Sequence, residues 1–148
     1  MRSVLKDPDR AELCRRVGAL PATAAPLWGR MTVGKMVSHL CLSARMALGE
    51  LPVASKGRRA FQRFPLKHLI LFVVPFPKGA PTARELLAPS SDSFDEERGR
   101  LRELLERLGS GPREGMGPAH PLLGPLTWQE WGVLVHKHSD HHLRQFGV

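Results

Sequence analysis

The stretch from Thr127 to Phe146, TWQEWGVLVHKHSDHHLRQF, restricts the fold more than any other part of this chain. Trp131, Leu134, Val135, His138, His142 and Gln145 recur every three or four residues, the spacing of one helix face. Thr127 and Glu130 form Thr-x-x-Glu, a capping box that predicts where the helix starts. A helix with one apolar stripe must bury it against other elements. The rest of the chain has to supply those partners.

It does so with helices. Met31 to Glu50 places Val33, Met36, Val37, Leu40 and Ala44 on one stripe, with Thr32 as N-cap and Gly49 and Pro52 ending the segment. Ser93 to Gly109 has acidic residues at its start and Arg at its end, matching the helix dipole. Its apolar face is Phe94, Leu101, Leu104, Leu105 and Leu108. Asp7 to Leu20 reads as a first helix, with Asp7 or Asp9 as cap and Pro8 in the opening turn. Residues 51–93 are rich in proline, which forbids a long regular element there, although Leu66 to Val74 suits a short helix. No strand pattern and no repeat appears. The expectation is an all-α fold, a four-helix bundle with a long irregular crossover between its second and third helices. At 148 residues and 42% apolar content the chain is expected to be a single globular domain, 1–148.

Composition narrows the function classes. The longest apolar run, Leu69 to Val74, is too short to span a bilayer. The N-terminal residues lack the apolar core of a secretory signal, so a soluble cytoplasmic protein is expected. Cys14 and Cys41 cannot form a disulfide framework or a thiolate zinc cluster and read as ordinary small helix residues. The net charge of +8 raises nucleic acid as a partner. Residues 1–80 hold 14 Lys and Arg against 4 Asp and Glu, whereas residues 81–148 hold 8 against 10. The densest basic patch, Ser55 to Phe64 (SKGRRAFQRF), interleaves aromatics as a phosphate-backbone binder would. Yet 16 of the 22 basic residues are Arg, a uniform preference that genome composition also produces. Nucleic-acid binding is therefore the weakest reading.

Four of the seven histidines, His136, His138, His141 and His142, crowd the end of the last helix. Histidines near a helix C-terminus can simply be solvated there, favoured by the dipole. Helical spacing separates these four. His138 and His142 lie one turn apart on the stripe that carries Trp131, Leu134 and Val135, so two imidazoles can reach one metal ion. His141 is at the edge of the stripe. His136, Asp140 and Arg144 lie off it, and His136 is expected to face solvent. Burying two imidazoles without partners costs about 1–3 kcal/mol or more, which an ion removes by taking their lone pairs. A third ligand should come from a facing helix. His39 is the only histidine inside another long helical segment, with small Ser43 one turn later. His68 and His120 fall in less regular segments, and His120 is a candidate for lining the site. A set of His39, His138 and His142 leaves coordination positions open, as in catalytic metal sites. This is not a zincin motif, since Ser139 stands where the general-base Glu would follow the first His. GRMTVGKM (Gly29 to Met36) imitates a phosphate-binding loop, but Met36 replaces the required Ser or Thr and no strand precedes it.

Two segments, WGRMTVGKMVSHL and HPLLGPLTWQEWGVLVHKHSDHHLRQFG, resemble the two signatures of the DinB-like (YfiT-like) superfamily. PKGAPTAREL resembles one bacterial branch of it. The likeness extends from about Leu13 to Val148. It implies a four-helix bundle, often a homodimer, holding a divalent metal through one His of the second helix and a His-x-x-x-His pair of the last. By motif these are His39, His138 and His142. The superfamily includes transferases that use low-molecular-weight thiols, a thiol-dependent isomerase, and members without an assigned activity. Relatives often read HHRGQ where this chain has HHLRQ, which displaces Arg144 by one position.

Three readings follow. The first is a metal-dependent enzyme acting with a small thiol, a thiol S-transferase or related hydrolase. In it His39, His138 and His142 are ligands, Asp140 or His141 orients one of them, and arginines of SKGRR receive an anionic thiol. No residue is assigned as catalytic. The alternative is a non-enzymatic metal-binding or stress-response protein, and the third is the nucleic-acid binder. Imidazole ligands suit zinc, nickel, iron and copper. Zinc is the default, with nickel, iron or manganese as alternatives, and the partner is a small-molecule substrate or thiol.

Overall fold

The structure, a computed structural model, describes residues 1–52, 59–76 and 93–148. Helix α1 (Asp7–Ala19) starts at Lys6, and no side chain caps it. Asp7 and Asp9 fall inside its first turn instead, beside Pro8, where their charge favours the dipole. Asp9 accepts from the Ser3 amide (3.0 Å) and Asp7 pairs with Arg10 (2.8 Å), so neither serves as the expected cap. The residues before α1 are built into the fold. Val4 is fully buried, and its amide donates to the Gly132 carbonyl (3.1 Å). A Cβ at Gly132 would come within 2.4 Å of Ser3 Oγ and 2.7 Å of Leu5 Cγ, so glycine is what lets this segment approach the last helix.

Helix α2 (Val33–Ala47) is capped by Thr32, whose hydroxyl accepts from the Lys35 amide (3.3 Å). Eleven of its 15 residues are buried, more than the one stripe that the spacing predicts, because α2 packs against both α4 and α5. After it, residues 59–76 form a strap containing a 3-10 turn (Arg59–Gln62), the short α3 (Leu66–His68) and a wider π turn (Leu69–Val73). Two lysines tie this strap down. Lys67 reaches Glu130 (2.9 Å) and the Pro125 carbonyl (2.8 Å). Lys137 donates to the carbonyls of Ile70 (2.6 Å), inside the π turn, and Val74 (2.5 Å), its C-cap. Residues 55–58 of the basic patch and all of PKGAPTAREL lie outside the described residues.

Helix α4 (Phe94–Gly109) begins at Ser93, whose hydroxyl accepts from the Glu96 amide (3.3 Å). It buries Leu101, Leu104, Leu105 and Leu108 of the face read from the sequence, while Phe94, in its first turn, is only half-buried against the core. Helix α5 (Trp128–Gln145) has the full capping box, with Thr127 Oγ1 accepting from the Glu130 amide (3.2 Å) and Glu130 accepting from the Thr127 amide (2.8 Å). The chain is all-α. Its four long helices meet in a closed order, α1 on α4, α4 on α2, α2 on α5 and α5 on α1. Val17, Met36, Val37, Leu101, Leu105 and Leu143 are fully buried between them. No helix among the described residues is long and apolar enough to cross a membrane.

Candidate metal centre

The contact of α2 with α5 brings together two short stretches that are about a hundred residues apart in sequence. His39 lies in the most buried helix and is itself only 4% exposed. On α5, His138 and His142 are separated by one turn and both face α2. His39 Nε2 stands 3.0 Å from His138 Nε2. One nitrogen from each of the three rings lies within 4.8 Å of the other two. The ring centroids form a nearly equilateral triangle with sides of 4.9, 5.0 and 4.9 Å, and every pair meets edge-on. Tetrahedral zinc with Zn–N bonds of 2.0–2.1 Å sets its ligand nitrogens roughly 3.3 Å apart. Three histidines this close could hold a divalent ion.

The electrostatics favour neutral ligands. Burial pushes the His138 pKa well below its ordinary value, and His39, His142, His141 and His120 add to the effect. Burial likewise lowers His142 to about 4, against an opposing hydrogen bond from Gln145. Uncharged imidazoles are the form that binds metals, so the fold keeps these two ready at neutral pH. His142 Nδ1 lies 2.9 Å from Gln145 Oε1, a contact that orients the ring.

Aromatic side chains wall the triad. Phe76 lies 5.7 Å from the His138 ring and 6.0 Å from the His141 ring. Trp28 meets His141 edge-on at 5.8 Å, and His141 meets His142 at 5.2 Å. Lys137, whose pKa burial lowers, holds the strap beside this wall and lies 5.2 Å from the Phe76 ring centre.

His141 stands at the triad's edge, between Trp28 and Phe76. His120 sits in the turn before α5. Its Nδ1 accepts from the Leu122 and Leu123 amides (3.1 Å each), its ring packs on Trp131 at 5.5 Å, and burial lowers its pKa to about 4. Asp140 engages Arg16 of α1 (2.7 Å) and Arg144 (3.1 Å). The partner that the structure gives His142 is instead Gln145. His136 departs from expectation. It is 4% exposed rather than solvent-facing, and its Nε2 is buried without a hydrogen-bond partner. The N-terminal segment laid along α5 covers a face that helical spacing alone marks as polar. His68 is exposed and stacks with Phe64 and Phe72.

Sequence reasoning placed Gln145 on the buried stripe without giving it a role. The clue was its position three residues after a candidate ligand, which makes it a neighbour on the helix surface. Trp28 and Phe76 carry no local signal, since each arrives from a connection.

No curated protein and no solved structure shows significant similarity to the chain. Residues 3–146 match the DinB superfamily, and with a match over nearly its full length the chain belongs to that superfamily.

Proposed function

We propose that this protein is a cytoplasmic, divalent-metal-dependent enzyme acting with a small thiol, by thiol transfer or a related hydrolysis. The observation that carries the proposal is the approach of His39 to His138 and His142, three imidazoles from two helices within 4.8 Å. Three protein ligands leave coordination positions for a water or substrate, the arrangement of catalytic rather than structural sites. Zinc is the first ion to test. Bound there, a divalent ion would supply Lewis acidity and hold a thiol deprotonated at neutral pH. The chain's own residues do the rest. His39, His138 and His142 bind, Gln145 orients His142, and Phe76 and Trp28 restrict water around the rings. Neither cysteine suits the nucleophile. Burial raises Cys14 to about 11 and Cys41 further, so the reactive sulfur must come from outside the protein.

Elemental analysis of untagged protein tests the first half of this reading. About one divalent ion per chain is expected in the wild type, and little in His39→Ala, His138→Ala or His142→Ala. Full retention in all three variants would remove the site. A panel of low-molecular-weight thiols with electrophiles tests the second half. Turnover that survives metal stripping would sink the mechanism, and metal without turnover would leave a non-enzymatic metal-binding protein. A homodimer is part of the proposal, to be checked by sedimentation equilibrium.

A further inference from the structure

We propose that Gln145 is a positioning residue that fixes His142 as its Nδ1–H tautomer, anchored on the backbone of the 27–29 turn. The proposal rests on the metal-centre reading and deepens it. Gln145 is the last residue of α5 and is 5% exposed. The two ends of its amide face different partners. Nε2 lies 2.7 Å from the Trp28 carbonyl, and Oε1 lies 2.9 Å from His142 Nδ1. A carbonyl can only accept, so the NH2 end must face Trp28. That leaves Oε1, itself only an acceptor, against the imidazole. Nδ1 must then carry the ring hydrogen, and a neutral ring with Nδ1–H has its lone pair on Nε2. Heavy-atom geometry thus settles a tautomer that is normally a matter of choice.

The anchor is built from several contacts. The Leu27 amide donates to the Gln145 carbonyl (2.7 Å), so the same residue holds the turn through both backbone and side chain. Gly29 has φ +80°, in the region that favours glycine, and a Cβ there would come within 3.0 Å of Gln145 Nε2. The turn is shaped to admit the amide. The Trp28 ring, fixed by this turn, stands against His141 at the rim of the triad. One side chain therefore sets both a ligand ring and part of the wall beside it. A partner on the far nitrogen of a ligating histidine typically contributes 10–100-fold in metal affinity.

Two measurements decide this. The first is a long-range 15N–1H spectrum of histidine-labelled, metal-free wild-type protein, with His142 assigned by its loss in His142→Ala. A protonated Nδ1 at His142 is expected, and a protonated Nε2 overturns the proposal. The second is zinc affinity by competition with a chromophoric chelator. Gln145→Leu should bind about 10–100-fold more weakly than wild type. Gln145→Glu keeps an acceptor for Nδ1–H but loses the donor to Trp28, and should stay within about tenfold of wild type. Wild-type affinity in Gln145→Leu overturns the proposal. So does an equal loss in both variants, which would mean that the turn and not the imidazole was disturbed. If Gln145→Leu fails to fold, the tautomer and Gln145→Glu still decide. Wild-type protein that binds no zinc would refute the metal-centre reading, while the tautomer spectrum would judge Gln145 independently.

Discussion

His136 and His138 are two residues apart on α5 and point to opposite sides of it, roughly 200° apart around the axis. Both lose solvation in the fold, and burial lowers the pKa of each. Their neighbours differ. Around His138 are other imidazoles, from His39, His142, His141 and His120. Around His136 are charged residues of the α1 side, Asp140, Asp9, Arg2 and Glu12. One face gathers lone pairs that an ion can share, and the other surrounds a single unpartnered nitrogen. Burial of a histidine therefore does not make a site. Convergence of several does.

The largest effect expected from this contrast is on metal content. His138→Ala should lose nearly all bound metal, because it removes one of the three proposed ligands. His136→Leu should keep the metal and gain up to about 1–2 kcal/mol of stability, since it removes a buried unsatisfied polar atom. Metal analysis and thermal melts of the two variants side by side check this. Loss of metal in His136→Leu would erase the distinction between the faces.

Acid should act next, on the triad side. His142 and His120 are held near pKa 4 in the folded chain, against about 6.5 when unfolded. Below pH 6.5 the unfolded chain takes up protons that the folded chain refuses, so stability falls as pH drops. The metal-free protein should lose roughly 3 kcal/mol for each of these two rings as the pH falls from 6.5 through 4, and His138, which burial also holds well below its ordinary value, carries the loss to lower pH. Urea midpoints across this range measure it, and a flat profile would show that these rings are not held neutral.

The α1 side should respond to its ion pairs instead. Arg16 and Asp140 have side chains only 10% and 20% exposed and meet at 2.7 Å. Asp140→Ala should destabilise by about 2 kcal/mol, by leaving a mostly buried guanidinium short of a partner, without changing zinc affinity. A large drop in affinity would instead link Asp140 to the metal ligands. The smallest effect is common to both faces. Thr127→Ala removes the cap at the start of α5 and should lower stability by about 1 kcal/mol, with metal content unchanged.

Local spacing made much of this fold legible. The caps at Thr32 and Thr127, the leucine face of α4 and the His138–His142 pair all follow from contacts within one or two helical turns. Such contacts depend only on which residues are three or four apart. The first helix shows where that logic stops. Asp7 and Asp9 have cap chemistry, yet Asp9 binds Ser3 and Asp7 binds Arg10, because the preceding segment folds onto α5.

The sequence by itself determined that the chain is helical and that two of its histidines share one face. Choosing His39 as their counterpart required only that it be the one histidine in another long helix. The tertiary structure decided how close these rings come, 3.0 Å between His39 and His138. It also decided that His136 is buried and that Gln145 binds both His142 and the Trp28 carbonyl. Periodicity states which side of a helix is apolar. Which neighbour covers that side, and which polar atoms then meet, depends on packing between segments far apart in the chain.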